Sequence, residues 1–311
     1  MMKRFKMLAT AALLGALVGC ANPEGADTFT ESGVLSGSTL TQAQCGAFED
    51  TGVWVVVDGL GECLRYFHAG LEAANPVVHI WFHGDRMSQN FKGGAWVHDY
   101  YLDHNNPGAL AARAENGARN SGAPYIRFSR PGVYGSTGSH KRRRLEREGL
   151  VIDAALEVLK QRYAIGAFAL SGQSGGGHVV ASLLPKRSDI VCAAITSGVV
   201  SVRKRSELRG WDGRDITGYH DFYDPIDHVS RIAEDENRAI FIIGDPRDSN
   251  VPFVTQADYY QAVLDAGHRA ELIRAKGRGK QHHGLSQVGF QVVKDCLQGI
   301  SPTAIARKHA S

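Results

Sequence analysis

Phe168-Ala169-Leu170-Ser171-Gly172-Gln173-Ser174-Gly175-Gly176-Gly177-His178 carries an apolar run into a glycine-rich turn, and a second apolar run follows at 179–184. The first part is the kind of short continuous apolar segment that a strand buried on both faces requires. The last part contains Ala and Leu, which suit a helix. Between them Gly-x-Ser-x-Gly puts Ser174 on a sharp strand-to-helix turn, with Gly172 and Gly176 at the two places where a Cβ would clash. A serine in that position sits at the positive end of the helix, and the amide of Gly175 can bind a developing oxyanion. The run lacks the Gly-Lys-Ser/Thr ending of a phosphate-binding loop. Ser174 is therefore the candidate nucleophile.

Outward from this turn, the chain alternates short β-rich runs with longer amphipathic ones. Strands are predicted at 53–58, 64–67, 77–82, 125–129, 167–171, 192–196, 239–243 and 270–273, and helices at 106–118, 147–163, 175–185, 254–266 and 285–298. Val151, Ala154, Ala155, Val158 and Leu159 form the i, i+3, i+4, i+7, i+8 stripe of a helix lying on a sheet. Strands alternating with helices indicate βαβ units: an α/β fold with a mostly parallel central sheet and helices on both faces. The first two strands have no helix between them and are expected to form an antiparallel edge hairpin. The segment 197–235 interrupts the rhythm. It is polar, carries Trp211, Tyr219, Phe222 and Tyr223, and reads either as a cap insertion or as a plain surface loop.

The N-terminus stands apart from this pattern. Residues 1–19 have a basic start (Lys3, Arg4, Lys6) and then a stretch of small and aliphatic residues, which is the pattern of an export signal. It is too short for a membrane-spanning helix. The ending Leu17-Val18-Gly19-Cys20 resembles the lipobox of bacterial lipoproteins, which implies acylation of Cys20, cleavage before it, and a membrane anchor without a spanning helix. Ala21 rather than Asp after the anchor favours the outer membrane over the inner. Residues 20–44, rich in Gly, Ser and Thr, are expected to be a flexible tether to a folded domain over 45–311. Of five cysteines, Cys45, Cys63, Cys192 and Cys296 remain after Cys20. An even number in an exported chain favours disulfides. Three pairings are open, with Cys45–Cys63 attractive because the two are near in sequence.

A serine hydroxyl needs a neighbouring base, and the base needs an acid to orient it. After the run 239–243 comes Gly244-Asp245-Pro246-Arg247-Asp248-Ser249-Asn250-Val251-Pro252, which offers Asp248 and, as the alternative, Asp245. After the last predicted strand comes Gln281-His282-His283-Gly284, which offers His283 as base and His282 as the alternative. His83-Gly84-Asp85 follows the strand at 77–82, and the amide of Asp85, with Gly84 permitting the turn, is the second candidate oxyanion donor. His83 is expected to bond backbone groups, and His178 to face away from Ser174. No Cys/His spacing indicates a metal, and no cofactor is called for. A net charge of +3 over 311 residues gives no reason to expect nucleic acid. The basic run His140-Lys141-Arg142-Arg143-Arg144 with Arg147 is read as a solvated helix entrance, because Glu146 and Glu148 are interleaved.

The stretch Arg127-Phe128-Ser129-Arg130-Pro131-Gly132-Val133-Tyr134-Gly135-Ser136-Thr137-Gly138, followed by the basic run and Gly-Gln-Ser-Gly-Gly-Gly-His, resembles bacterial α/β hydrolases. It looks closest to a prolyl-oligopeptidase-like branch. Asp-x-x-Val-Pro at 248–252 resembles the acid loop of many such enzymes, which selects Asp248. The likeness spans 50–300 and implies the α/β-hydrolase fold and cleavage of a small ester or peptide through an acyl-enzyme, with an esterase slightly favoured. The large propeller of true prolyl oligopeptidases has no counterpart in the sequence. A serine peptidase and a non-catalytic surface-anchored binding protein are the alternatives.

Overall fold

All eight apolar runs form strands in the computed structural model, which describes residues 29–103 and 105–311. They are Gly52–Val57 (β1), Leu60–Ala69 (β2) and Asn75–Phe82 (β3), then, beyond a small hairpin of Met87–Gln89 (β4) and Ala95–Val97 (β5), Tyr125–Phe128 (β6), Ile165–Gln173 (β7), Ile190–Thr196 (β8), Ala239–Gly244 (β9) and Ala270–Arg274 (β10). The main sheet has the order β1-β2-β6-β3-β7-β8-β9-β10. β1 pairs antiparallel with β2, and β2 antiparallel with β6. Every other pairing in it is parallel. The expected edge hairpin is therefore present, and β7 lies in the middle between β3 and β8.

Side-chain alternation explains why the central strands read as unbroken apolar runs. Phe168 and Leu170 of β7, Ala193 and Ile195 of β8, and Ile240 and Ile242 of β9 pack on one face. Ala169, Cys192, Ala194, Phe241 and Ile243 pack on the other. Both faces are covered, so both parities must be apolar. The helices are Glu31–Ser36 (α1), Gln42–Gly46 (α2), Asp99–Leu102 (α3), Pro107–Ser121 (α4), Glu146–Arg162 (α5), Gly175–Leu183 (α6), Val202–Arg209 (α7), Phe253–Asp265 (α8), Ser286–Leu297 (α9) and Pro302–His309 (α10). α5, α6 and α8 cover the first face through Val151, Leu156, Val180 and Tyr259, and α9 and α10 cover the second through Val292, Val293 and Ile305.

The expected tether contains helix α1 and the start of helix α2. Thr30 caps α1 by accepting from the Gly33 amide, and Thr41 and Gln44 form a capping box on α2. Val34 is fully buried beside Phe67, Trp81 and Tyr134. The Ser/Thr content that resembles a linker serves here as helix-capping chemistry. The segment 1–19 expected as an export signal, the expected acylation site Cys20 and the stretch to residue 28 expected as tether lie outside the described residues. Disulfides join Cys45 to Cys63 and Cys192 to Cys296. No helix among the described residues is long and apolar enough to cross a membrane. The segment 197–235 holds α7 and a short 3-10 turn, Pro225–Arg231, between β8 and β9.

Candidate active site

Ser174 stands between β7 and α6 with φ 58° and ψ −117°, a strained conformation for a residue with a side chain. Its surroundings impose it. The Ser174 amide donates to the Thr196 carbonyl at the end of β8 (2.8 Å), and its own carbonyl accepts from the amides of His178 (3.1 Å) and Val199 (3.3 Å). A Cβ on Gly172 would run into the Gly176 carbonyl, and one on Gly176 into the Phe82 carbonyl. These two glycines let the turn pass against β3. Gly84 crosses close above, where an added Cβ would lie 3.3 Å from that of Ser174.

The two candidate acid–base pairs separate cleanly. His283 Nδ1 lies 2.7 Å from Asp248 Oδ2, and the other oxygen of Asp248 accepts from the amides of Asn250 (2.8 Å) and Val251 (2.9 Å). That arrangement fixes the carboxylate and sets the proton of His283 on Nδ1, so Nε2 is an acceptor. His283 Nε2 is buried without a hydrogen-bond partner among the described residues. His283 and Ser174 line one cavity of about 770 Å³, with Gly84 and Asp85 in its wall. His282 Nδ1 is 4.0 Å from Asp245 Oδ2, and Asp245 is already engaged by Arg247 and the Gly277 amide. The Arg247 hydrogen bonds hold the Asp245 carboxyl below the usual carboxylate range. Neither Asp245 nor His282 lines the cavity.

His83 and His178 are each tied to backbone groups. The ring of His83 bonds the Gly84 carbonyl through Nδ1 (2.7 Å) and accepts from the Arg130 amide at Nε2 (3.2 Å). Burial, with Arg86 and Arg130 nearby, keeps it far below the usual imidazole range and hence neutral. His178 bonds the Tyr223 carbonyl through Nε2 (3.0 Å), and burial pushes it down to about 4. No group of three or more His, Cys, Asp or Glu able to hold a metal occurs among the described residues.

The basic run departs from expectation. His140, Arg143 and Arg144 are buried rather than solvated. Asp85 Oδ1 pairs with Arg130 (3.0 Å), and its Oδ2 pairs with Arg143 (2.9 Å) and Arg144 (2.7 Å). Arg130 also meets Glu148, and Arg144 meets Asp215, both at 2.8 Å. Burial alone would raise the Asp85 carboxyl, but the three guanidiniums outweigh it and hold it well below its ordinary value. The network ties the loop after β3 to the start of α5. The one sequence signal for it was the choice of Arg at 130, 143 and 144, since the planar guanidinium is the group suited to buried ion pairs. Sequence reading also missed Gln173, whose Nε2 donates to the His283 carbonyl (2.7 Å). From the segment 197–235, Val199, Arg205 and Ile216 reach the cavity wall.

No family model matches the sequence, and no curated protein matches it. Solved structures do match its shape. An esterase of Pyrococcus furiosus superposes with TM-score 0.57 at 14% identity, covering 84% of this chain and 94% of the esterase. The ferulic-acid-bound esterase Est1E of Butyrivibrio proteoclasticus superposes with TM-score 0.55 at 15% identity, over 79% of this chain and 98% of Est1E. The acylaminoacyl peptidase of Pyrococcus horikoshii gives TM-score 0.51 at 13% identity, and this chain covers 43% of it. The eight-stranded, mostly parallel sheet with an antiparallel start is the α/β-hydrolase fold.

Proposed function

We propose that this chain is a serine hydrolase that cleaves an ester or amide bond of a small substrate through an acyl-enzyme. The observation that carries the proposal is the His283–Asp248 pair: His283 lines the same cavity as Ser174, and its Nε2 has no hydrogen-bond partner among the described residues. His283 Nε2 takes the proton of Ser174 as Oγ bonds to the substrate carbonyl carbon. The imidazolium is steadied by Asp248 and returns that proton to the departing alcohol or amine as the C–O or C–N bond breaks. Water then attacks the acyl-enzyme by the same route, giving its proton to His283, which passes it back to Ser174 Oγ. The amides of Gly175 and Asp85 bind the oxyanion, each contributing on the order of a hundredfold or more to kcat. The chemistry needs no metal or cofactor.

An ester is favoured over a peptide, because the likeness extends over nearly the whole length of two esterases and under half of the peptidase. The contributions of Val199, Arg205 and Ile216 to the cavity support a cap role for 197–235. The Leu-Val-Gly-Cys ending at 17–20 and the two disulfides support an exported protein anchored through Cys20, on the outer membrane in preference to the inner. Labelled palmitate incorporated by cells expressing the wild type and not by those expressing Cys20→Ser would establish the anchor.

The test of the chemistry is labelling of the purified protein with a fluorophosphonate probe, beside Ser174→Ala, His283→Ala and His282→Ala. Labelling of the wild type and of His282→Ala, and none of the other two, is the expected result. A folded wild type that stays unlabelled would overturn the hydrolase reading in favour of a binding protein with a hydrolase fold.

A further inference from the structure

The cavity beside Ser174 carries more buried positive charge than its buried carboxylates neutralise. Five guanidiniums, those of Arg86, Arg130, Arg143, Arg144 and Arg205, are each at least nine-tenths buried around it or directly behind it. They meet three carboxylates, the buried Glu148 and Asp215 and the partly exposed Asp85, and the ion pairs of those carboxylates go to Arg130, Arg143 and Arg144. Arg86 and Arg205 have no carboxylate within ion-pair distance among the described residues, and the Nε of each is buried without a hydrogen-bond partner. Both line the cavity with Ser174 and His283.

The partners these two arginines do have are neutral. Arg86 donates to the Tyr100 hydroxyl (3.1 Å) and lies against the Tyr100 and Tyr134 rings. Arg205 donates to the Asn250 side chain (3.0 Å) and lies 5.0 Å from the centre of the Trp211 ring. Burial lowers the Arg205 guanidinium to about 10, which leaves it charged at neutral pH. Of the other carboxylates at hand, Asp99 is exposed on the cavity wall, and Asp248 is bound to His283. Asp215 and Asp85 favour the Arg205 charge from a distance without pairing with it. A buried cation without a direct ion pair is costly, and an anion entering the cavity offsets that cost. The two arginines come from segments on either side of β7 in the fold. Arg86 follows β3 and Arg205 lies on α7 after β8, the two strands that flank β7.

We infer that the cavity selects substrates bearing a carboxylate on the fragment it encloses, with Arg86 and Arg205 as the residues that bind it. The inference rests on the hydrolase reading and narrows its substrate class. A guanidinium presents two parallel N–H groups to a carboxylate, which gives direction as well as attraction.

The test compares matched esters that differ in one charge. Para-nitrophenyl hydrogen glutarate against para-nitrophenyl pentanoate places the charge on the acyl side. Para-acetoxybenzoate against para-acetoxybenzamide places it on the alcohol side. The readout is the ratio of kcat/KM within each pair, so a general loss of activity cancels. In the wild type at least one pair favours the anion, by on the order of tenfold or more. Arg205→Gln or Arg86→Gln lowers that preference by a similar factor, and Arg205→Lys retains part of it. A neutral ester preferred in both pairs, or a preference that survives both Gln variants, overturns the inference.

Glutarate binding by calorimetry separates this inference from the hydrolase reading. If no ester is turned over yet glutarate binds the wild type and not Arg205→Gln, the anion site stands and the hydrolase reading falls. If no ester is turned over and glutarate does not bind, the anion site is overturned as well.

Discussion

Gln173 holds the backbone on both sides of Gly284, directly after His283. Its Nε2 donates to the His283 carbonyl (2.7 Å), and its Oε1 accepts from the Leu285 amide (2.9 Å) and the Thr196 hydroxyl (3.1 Å). The residue preceding the candidate nucleophile therefore fixes the loop that carries the candidate base, and it ties both to the end of β8. A loop after the last strand would otherwise have little to set its distance from β7, since β10 is three strands away.

Replacing Gln173 by Ala should free the His283 loop while leaving the sheet intact. Displacements of about 1 Å at a reacting group cost on the order of a hundredfold in rate. We expect kcat on an activated ester to fall by about that factor with a smaller change in KM, and fluorophosphonate labelling to slow in parallel. A kcat within twofold of the wild type would remove Gln173 from any positioning role.

Asp248→Asn and Asp245→Asn should behave differently although only two residues separate them. Asp248 orients His283, so its amide favours the wrong tautomer, and kcat should fall on the order of 10⁴-fold. Asp245 instead binds Arg247 and the Gly277 amide. Its loss should cost about 1–3 kcal/mol of stability and leave kcat within about tenfold. Steady-state kinetics beside urea unfolding of both variants distinguishes these outcomes, and an inactive, stable Asp245→Asn would reverse the assignment.

What the sequence made legible follows from how local each signal is. The buried strands announce themselves because both faces are apolar, and Gly172 and Gly176 flank Ser174 at fixed spacing, so the sheet and the turn can be read residue by residue. The choice of His283 over His282 depends on which ring meets a carboxylate across the loops, and no spacing encodes that. The burial of Arg143 and Arg144 was hidden for a similar reason. Their partners Asp85 and Asp215 are 58 and 71 residues distant, and the nearer Glu146 and Glu148 suggested a solvated face. Helices α1 and α2 were missed because threonine caps and flexible linkers share a composition.

The Asp85 network should make the fold acid-sensitive and intolerant of neutralisation. Asp85→Asn removes a charge that three buried guanidiniums share, and breaking a buried pair in this way costs about 3–5 kcal/mol. Burial would raise the Asp215 carboxyl, but Arg144 outweighs it and pulls it down to about 2. A carboxyl depressed in the folded state contributes stability above its unfolded value, near 3.9, and loses it as pH falls through the folded value. The contribution of Asp215 should therefore be complete at neutral pH and decline between about pH 4 and pH 2. Urea unfolding as a function of pH checks this, and Asp215→Asn should flatten the decline. An unchanged acid limb in that variant would assign the sensitivity elsewhere.

The two disulfides should differ in what they contribute. Cys45–Cys63 closes a loop across 18 residues and pins α2 to β2, and Cys192–Cys296 spans 104 residues and ties β8 to α9. A cross-link restricts the unfolded chain more when its loop is longer, by about 3 kcal/mol for a loop near the first length and about 4.7 kcal/mol near the second. Cys192→Ser with Cys296→Ser should thus destabilise more than Cys45→Ser with Cys63→Ser. The longer link also joins a core strand to the helix that follows the His283 loop, so its loss should bring inactivation nearer to the unfolding midpoint. Unfolding in urea, followed by tryptophan fluorescence and by ester hydrolysis, measures both effects. If the Cys45–Cys63 variant is the less stable of the two, native packing around α2 outweighs the loop-length term.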